Sequence, residues 1–228
     1  MRSWYNGRME LLYCDNSIVV CVKPAGALST DEPGGVPELA RAALGDLSAD
    51  VRTVHRLDRV VGGVMLLARS APAASALGRQ VMDGRFRKAY LAVVHGLPET
   101  AEGRFTDLLR RDRRTCTTYI ADAPGRDTRE AISDYTLLQS AGGLSCLRIT
   151  LRTGRTHQIR AQFAFHGLPL VGDRKYGTGA DGETPIALWS ERIAFDHPAT
   201  GAPMAFRLPP PKISPWTEFA LDDEEDAP

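Results

Sequence analysis

Apolar runs of strand length, each closed by glycine, proline or a charge cluster, recur along this chain and outnumber the stretches with helical spacing. "SIVVCVKP" reads as a buried strand that Pro24 ends, and "GGVMLLARS" and "RKAYLAVVHG" have the same character. Further strands are expected in "TCTTYI", "EAISDYTLLQ", "LSCLRITL", "PIALWSERIAF" and "MAFRL". Helical patterns are fewer. "VPELARAALG" is a short helix with Gly45 beyond its end, and "APAASALGRQVMDG" is opened by Ser70 and Pro72 and closed by Gly84. A third helix is expected in "RTHQIRAQFAFHG", beginning with Arg155, Thr156 and His157, with Ile159, Phe163 and His166 on one face. Strands and helices do not alternate regularly, and no fixed repeat recurs. The fold class expected is therefore α+β: a mixed, largely antiparallel central sheet flanked by a few helices.

With 228 residues, 43% hydrophobic and 25% charged, the chain has the composition of a folded globular protein. One catalytic-size domain over residues 1–220 is expected, with an acidic, poorly ordered tail over 221–228. No apolar run approaches the ~20 residues that span a bilayer, and the start lacks a secretory h-region, so a cytoplasmic protein without membrane contact is expected. Cys14, Cys21, Cys116 and Cys146 are scattered with no C-x-x-C pair, which favours reduced, mostly buried thiols over a zinc site or a disulfide framework. The 28 basic and 28 acidic side chains cancel. Five of the acids lie in the tail, and the body keeps 28 basic against 23 acidic side chains, a net +5 that is compatible with nucleic acid. No heptad suggests more than a monomer, and no obligate protein partner is expected.

Three stretches are too rich in ionisable groups for ordinary core segments. In "TVHRLDRVVGGVMLLARS", His55, Arg56, Asp58 and Arg59 run straight into an apolar strand. Burying a carboxylate costs several kcal/mol unless it is paired, so Asp58 is exposed in a turn, neutralised by a partner or held for chemistry. In "RKAYLAVVHG", Lys88 and Tyr90 leave the same strand face; by position alone Tyr90 is a core aromatic whose hydroxyl reaches the surface. In "LRITLRTGRTHQIR" a strand enters a glycine turn and then a helix start flanked by arginines, which suits an anion or a solvated cap. His157 and His166 stand nine apart, which favours structural histidines over a metal pair.

Taken in order, "HRLD" at 55–58, "KAY" at 88–90, "GRTHQIR" at 154–160, "GLP" at 167–169 and "GDRKYG" at 172–177 resemble the signatures of the RluA-type family of RNA pseudouridine synthases. "VCVKPAG" and "ALWSERIAFDHPATGAPMAFRLPPP" look like the same family, so the resemblance covers residues 10–212.

The resemblance implies the pseudouridine synthase fold and a cofactor-free, metal-free isomerisation of a uridine in ribosomal RNA or tRNA. Asp58 is implied as the nucleophile, Arg155 as the guanidinium that keeps it ionised, and Tyr90 as the ring that stacks on the base near the departing C5 proton. Leu151 would wall the uracil. Arg56 would fill the gap left by a flipped base, and Lys88, Thr156 and Arg160 would meet phosphates. Recognition would rest on loop shape and splayed bases, aided by the arginines of "RFTDLLRRDRRTC" in the absence of an appended N-terminal RNA-binding domain. The family's Thr-Ser-Gly after H-R-L-D is missing: Val61 and Gly62 replace the two hydroxyls. That departure keeps a catalytically silent RNA-binding relative open as the alternative. A hydrolase built on His157 lacks any nucleophile-elbow motif.

Overall fold

The computed structural model describes residues 9–221. In chain order its elements are β1 (Leu11–Cys14), β2 (Ile18–Lys23), α1 (Val36–Leu44), β3 (Arg52–Thr53), β4 (Gly62–Ala68), α2 (Ala71–Met82), β5 (Arg87–His95), β6 (Glu102–Asp112), β7 (Thr117–Ile120), β8 (Thr128–Ala141), β9 (Leu144–Leu151), α3 (Gln158–Phe165), β10 (Leu188–Asp196) and β11 (Pro203–Arg207), followed by a 3-10 turn at Trp216–Glu218. This is the expected α+β architecture, with largely antiparallel strands and three α-helices among the described residues. The chain divides into two compact units, one running to Lys88 and including Ser190–Leu208, the other formed by Ala89–Trp189 and the chain from Pro209 on.

In the first unit the strand order is β1-β2-β4-β10, with β3 also on β4 and β11 on β10. Both β2 and β4 are buried along their whole length, which explains why their sequences are continuous apolar runs rather than alternating ones. Ile18, Val20, Val64, Leu66 and Ala68 form one core layer with Ala73 and Leu77 of α2, Phe86, Ile193 and Phe195. The start of α2 follows its sequence signals: Ser70 Oγ accepts the Ala73 N–H at 3.2 Å, and Pro72 lies in the first turn. Gly63 is required for packing, because its φ is +120° and a Cβ there would enter the Ser190 backbone.

In the second unit the order is β5-β9-β8-β6-β7, all antiparallel. Leu91, Val93, Cys146, Val171, Ala187, Trp216 and Phe219 make one core, against which Leu221 packs. The acids at 222–226 of the expected tail lie outside the described residues. Phe105, Tyr135 and Phe163 form an aromatic cluster between the sheet and α3.

Three expectations need adjustment. Cys21 and Cys146 are buried, but Cys14 and Cys116 are exposed, so burial describes only half of the thiols. "RFTDLLRRDRR", whose arginines are expected to aid RNA recognition, is not among the expected strands; most of it lies in β6, where Phe105 packs inward while Arg104 and Arg110 stay exposed. The third helix begins at Gln158 instead of Arg155. His157 takes a left-handed φ of 54°, and Gln158 Oε1 turns back to accept the Arg155 N–H at 3.0 Å and the Thr153 hydroxyl at 2.8 Å. The three residues expected as a first helical turn are instead a fastened loop. The helix is also buried around most of its circumference, since Gln158, Arg160 and Gln162 are as enclosed as Ile159 and Phe163.

Candidate active site

The charge-dense stretch of the first unit separates its ionisable groups by environment. His55 is buried and its Nε2 accepts the Leu66 N–H at 3.0 Å, while its ring leans on Phe86. Burial, reinforced by the nearby Lys88 charge, pushes its pKa down to about 3, so it is a neutral core imidazole. Arg56 and Arg59 are exposed, and Asp58 is half-buried between them.

What holds Asp58 is backbone chemistry. Its carbonyl accepts the Val61 N–H at 3.0 Å and closes a tight turn. Lys23, at the end of β2, is completely buried and donates from Nζ to the carbonyls of Pro24 (3.1 Å), Arg59 (3.1 Å) and Val61 (2.7 Å). Burial lowers the Lys23 pKa to about 8, and the Asp58 charge acts in the opposite sense. Ser29 fixes the other side: its hydroxyl donates to the Leu57 carbonyl at 2.8 Å and accepts the Leu57 N–H at 3.0 Å. The Arg59 backbone is tied to Gly26, whose N–H it accepts at 2.7 Å. Val61 and Gly62 therefore stand in a loop secured by an ammonium and a distant serine, without the two hydroxyls that they replace.

The other expected residues fall on β5 and on the β9–α3 connection. Tyr90 is buried on β5, opposite Ile149 of β9. Lys88 is half-buried two positions earlier, and burial lowers its pKa. Leu151 ends β9, half-buried. Arg155 is exposed and its Nε donates to the Glu130 carbonyl at 2.9 Å. The Thr156 carbonyl accepts the Thr118 hydroxyl at 2.9 Å. Arg160, expected at a phosphate, lies in the interior: it is 6% exposed and forms two 2.8 Å bonds to the buried Asp173, with its guanidinium 5.1 Å from the centre of the Tyr176 ring. The two histidines are structural, as their spacing suggests: His157 Nδ1 meets the Tyr176 hydroxyl at 2.7 Å, and His166 stacks on Phe105 beside Asp107.

Motif reading thus brought Arg56 and Asp58 onto one turn, and Leu151, Arg155 and Thr156 onto one connection. It missed Lys23, Ser29, Thr118, Asp173 and Tyr176 as the groups that fasten those two loops. Lys23 had a signal, being a lone cation in the run "IVVCVK"; Ser29 and Thr118 had none. Among the described residues no group of three or more His, Cys, Asp or Glu stands together as a metal site. Nor is any of their helices long and apolar enough to cross a membrane.

Comparison with known proteins identifies the family to which the chain belongs. Residues 17–165 match the family model described as RNA pseudouridylate synthase. The chain belongs to that family, whose members are isomerases that modify RNA. It is 32% identical to the dual-specificity RNA pseudouridine synthase RluA of Escherichia coli, covering 88% of this chain and 93% of that one. It is 34% identical to the ribosomal large subunit pseudouridine synthase D of Xanthomonas campestris, over 90% of this chain and 66% of the relative. Against an uncharacterized RNA pseudouridine synthase of Bacillus subtilis, YlyB, the identity is 29% over 90% of this chain and 70% of the relative. The fold is shared with human RNA pseudouridylate synthase domain containing 1, with a TM-score of 0.79 at 21% identity over 93% of this chain and 88% of that one.

Proposed function

We propose that this chain converts a specific uridine of structured RNA, ribosomal RNA or tRNA, into pseudouridine, with Asp58 as the nucleophile and no cofactor. The N1–C1′ glycosidic bond breaks, the ring turns, C5 bonds to C1′, C5 gives up its proton and N1 takes one, so the reaction is redox-neutral. Attack at C6, attack at C1′ and elimination through a glycal all need Asp58 ionised. The supporting observation is that the aspartate of "HRLD" opens a turn whose Arg59 and Val61 carbonyls are gathered by a buried ammonium. That arrangement fixes the backbone of the reacting group and places positive charge beside it.

Arg155 takes the role of counter-charge and Tyr90 that of the base-stacking ring, both carried over on the motif match. Arg56 and Lys88 are the remaining candidates for the displaced strand and its phosphates, with Leu151 and Thr156 at the uracil and backbone. Ribosomal RNA and tRNA are proposed as substrates because the relatives named for large-subunit and dual-specificity modification align over most of this chain. The exposed Arg110, Arg111, Arg113 and Arg114 around the β6–β7 turn supply phosphate contacts for selecting among them.

The test is release of tritium from C5-labelled uridine in ribosomal or transfer RNA transcripts, without added metal or nucleotide. Asp58→Asn should abolish release while leaving RNA affinity within about threefold. The silent-binder alternative draws on Val61 and Gly62. It would be established by wild-type protein that binds these RNAs and releases no tritium from any of them.

A further inference from the structure

The loop that carries Arg155 is held by a chain of contacts that joins "GRTHQIR" and "GDRKYG" to Thr118 of β7. The Tyr176 hydroxyl is the hub. It accepts the Thr118 N–H at 2.8 Å and meets His157 Nδ1 at 2.7 Å. Thr118, 3% exposed, returns its own hydroxyl to the Thr156 carbonyl at 2.9 Å. The two residues that follow Arg155 are thus gripped from one side, and Gln158 grips Arg155 itself through its N–H.

Tyr176 is in turn immobilised. Asp173 accepts the Tyr176 N–H at 3.1 Å and the Lys175 N–H at 2.9 Å, while both its oxygens hold Arg160, whose guanidinium lies over the tyrosine ring. Lys175 Nζ ties the same loop to the carbonyls of Thr115 (3.0 Å) and Cys116 (2.9 Å) at the β6–β7 turn. A left-handed φ of 54° at His157 is uncommon for a residue with a side chain and persists only when neighbours enforce it. The imidazole of His157 is held at Nδ1 by that tyrosine hydroxyl.

From this network we infer that Tyr176 and Thr118 are positioning residues for Arg155: they fix the 154–157 loop in the conformation from which the guanidinium works. The inference rests on the proposed role of Arg155, and it assigns these two side chains a task that their burial alone would not require. A purely structural tyrosine would affect stability and spare the rate of the folded enzyme. A positioning tyrosine lowers kcat with KM unchanged.

Tyr176→Phe keeps the ring beneath Arg160 and removes only the hub. The expected result is a kcat lower by about ten- to a hundredfold, the scale for a misplacement of about 1 Å, with the RNA KM within about twofold. Thr118→Val should act in the same direction, and Thr118→Ser, which keeps the donor, should restore most of the rate. In an Arg155→Ala background Tyr176→Phe should cost less than about twofold, because the group it positions is gone. Full additivity there, or a wild-type kcat in Tyr176→Phe, overturns the inference.

Amide hydrogen exchange of the RNA-free protein decides the matter independently of activity. In Tyr176→Phe the Arg155 and Gln158 amides should exchange about tenfold faster while the β8–β9 ladder is unchanged. Acceleration confined to Thr118 overturns the inference. An inactive wild type refutes the proposed function and leaves this exchange measurement as the arbiter here.

Discussion

Replacing Lys23 by methionine separates what the buried ammonium does for stability from what it does for the reaction. Three carbonyls lose a charged donor, but they are not equally exposed to the loss. Pro24 C=O keeps the Ala27 N–H at 3.3 Å, and Arg59 C=O keeps the Gly26 N–H at 2.7 Å. Only the Val61 carbonyl, whose 2.7 Å bond is the shortest of the three, gives up its described partner. An orphaned buried carbonyl costs ~1–3 kcal/mol. Against this stands the penalty for burying the charge: a pKa of about 8 against the ordinary 10.5 corresponds to about 3 kcal/mol while the lysine is protonated at neutral pH. Methionine removes that penalty and fills the channel of the aliphatic stem. The two contributions nearly offset, so the net change should stay within about 2 kcal/mol, a shift in Tm of a few degrees for a chain of this size.

Catalysis has no such compensation. Without Nζ the turn between Asp58 and Val61 is free to open, and kcat for tritium release should fall on the order of a hundredfold. The pH profiles should part as well. Lys23 faces Asp58, Cys21 and Arg59, and as pH rises through about 8 it loses its charge and one of its three hydrogens. Wild-type kcat should then decline along a limb that Lys23→Met lacks. For stability the sign is opposite. A lysine with a depressed folded-state pKa leaves the unfolded chain binding more protons between about 8 and 10.5, so its contribution rises with pH across that window. Thermal melts and single-turnover rates of both proteins from pH 6 to 10 make the comparison. A variant that melts more than ~10 °C lower with wild-type kcat per folded molecule would refute the reasoning, since the lysine would then be a fold element with no role in the turn.

Two further outcomes can be measured on the same protein. Arg155→Ala should lower kcat by at least about a hundredfold and weaken RNA binding by less than about threefold, read by single-turnover rates and filter binding; equal losses in both would reassign Arg155 to a phosphate. His55, with its folded pKa depressed from 6.5 to about 3, contributes stability that is present above the ordinary value and lost as pH falls through that range. Urea titrations from pH 7 to 3 should therefore show a steeper loss for wild type than for His55→Gln, which still offers the Leu66 N–H an acceptor, and parallel curves would show that the imidazole stays solvated.

The elements that could be read from the sequence are those whose local preference and tertiary environment agree. β2 and β4 are apolar throughout because both faces are buried, and α2 carries its own Ser70 cap and Pro72 start. β6 is hard to read because its exposed positions are Glu102, Arg104, Thr106, Arg110 and Arg111, a polar composition that masks the inward packing of Phe105. The start of α3 is not legible for a different reason: nothing local says that Gln158 will fold back on Arg155, or that a tyrosine nineteen positions on will hold the left-handed His157. In the candidate site, motif matching reached Asp58, Tyr90 and Arg155 but said nothing of their supports, which come from positions distant in sequence. Arg160 shows the hazard in that gap. As part of "GRTHQIR" it looked like a phosphate ligand, yet its partner, the buried Asp173, is thirteen residues away.

The buried ions share a logic that stability alone does not explain. Lys23, and the Arg160–Asp173 pair, each sit where an apolar group of similar volume would cost the fold little or even stabilise it, since desolvating charge consumes most of what pairing returns. What an apolar replacement could not do is choose one backbone conformation. The Lys23 ammonium joins the Arg59 and Val61 carbonyls of the Asp58 turn to that of Pro24, and Asp173 takes two backbone N–H groups and a guanidinium so that Tyr176 has one place to stand. Hydrophobic contacts tolerate small shifts, whereas these bonds weaken steeply with distance and angle. The two charged supports therefore fall beneath the two loops on which, in the proposed reaction, a carboxylate and a guanidinium must keep their positions. Neither support needs a hydroxyl at position 61 or 62, so Val61 and Gly62 are compatible with an ordered turn.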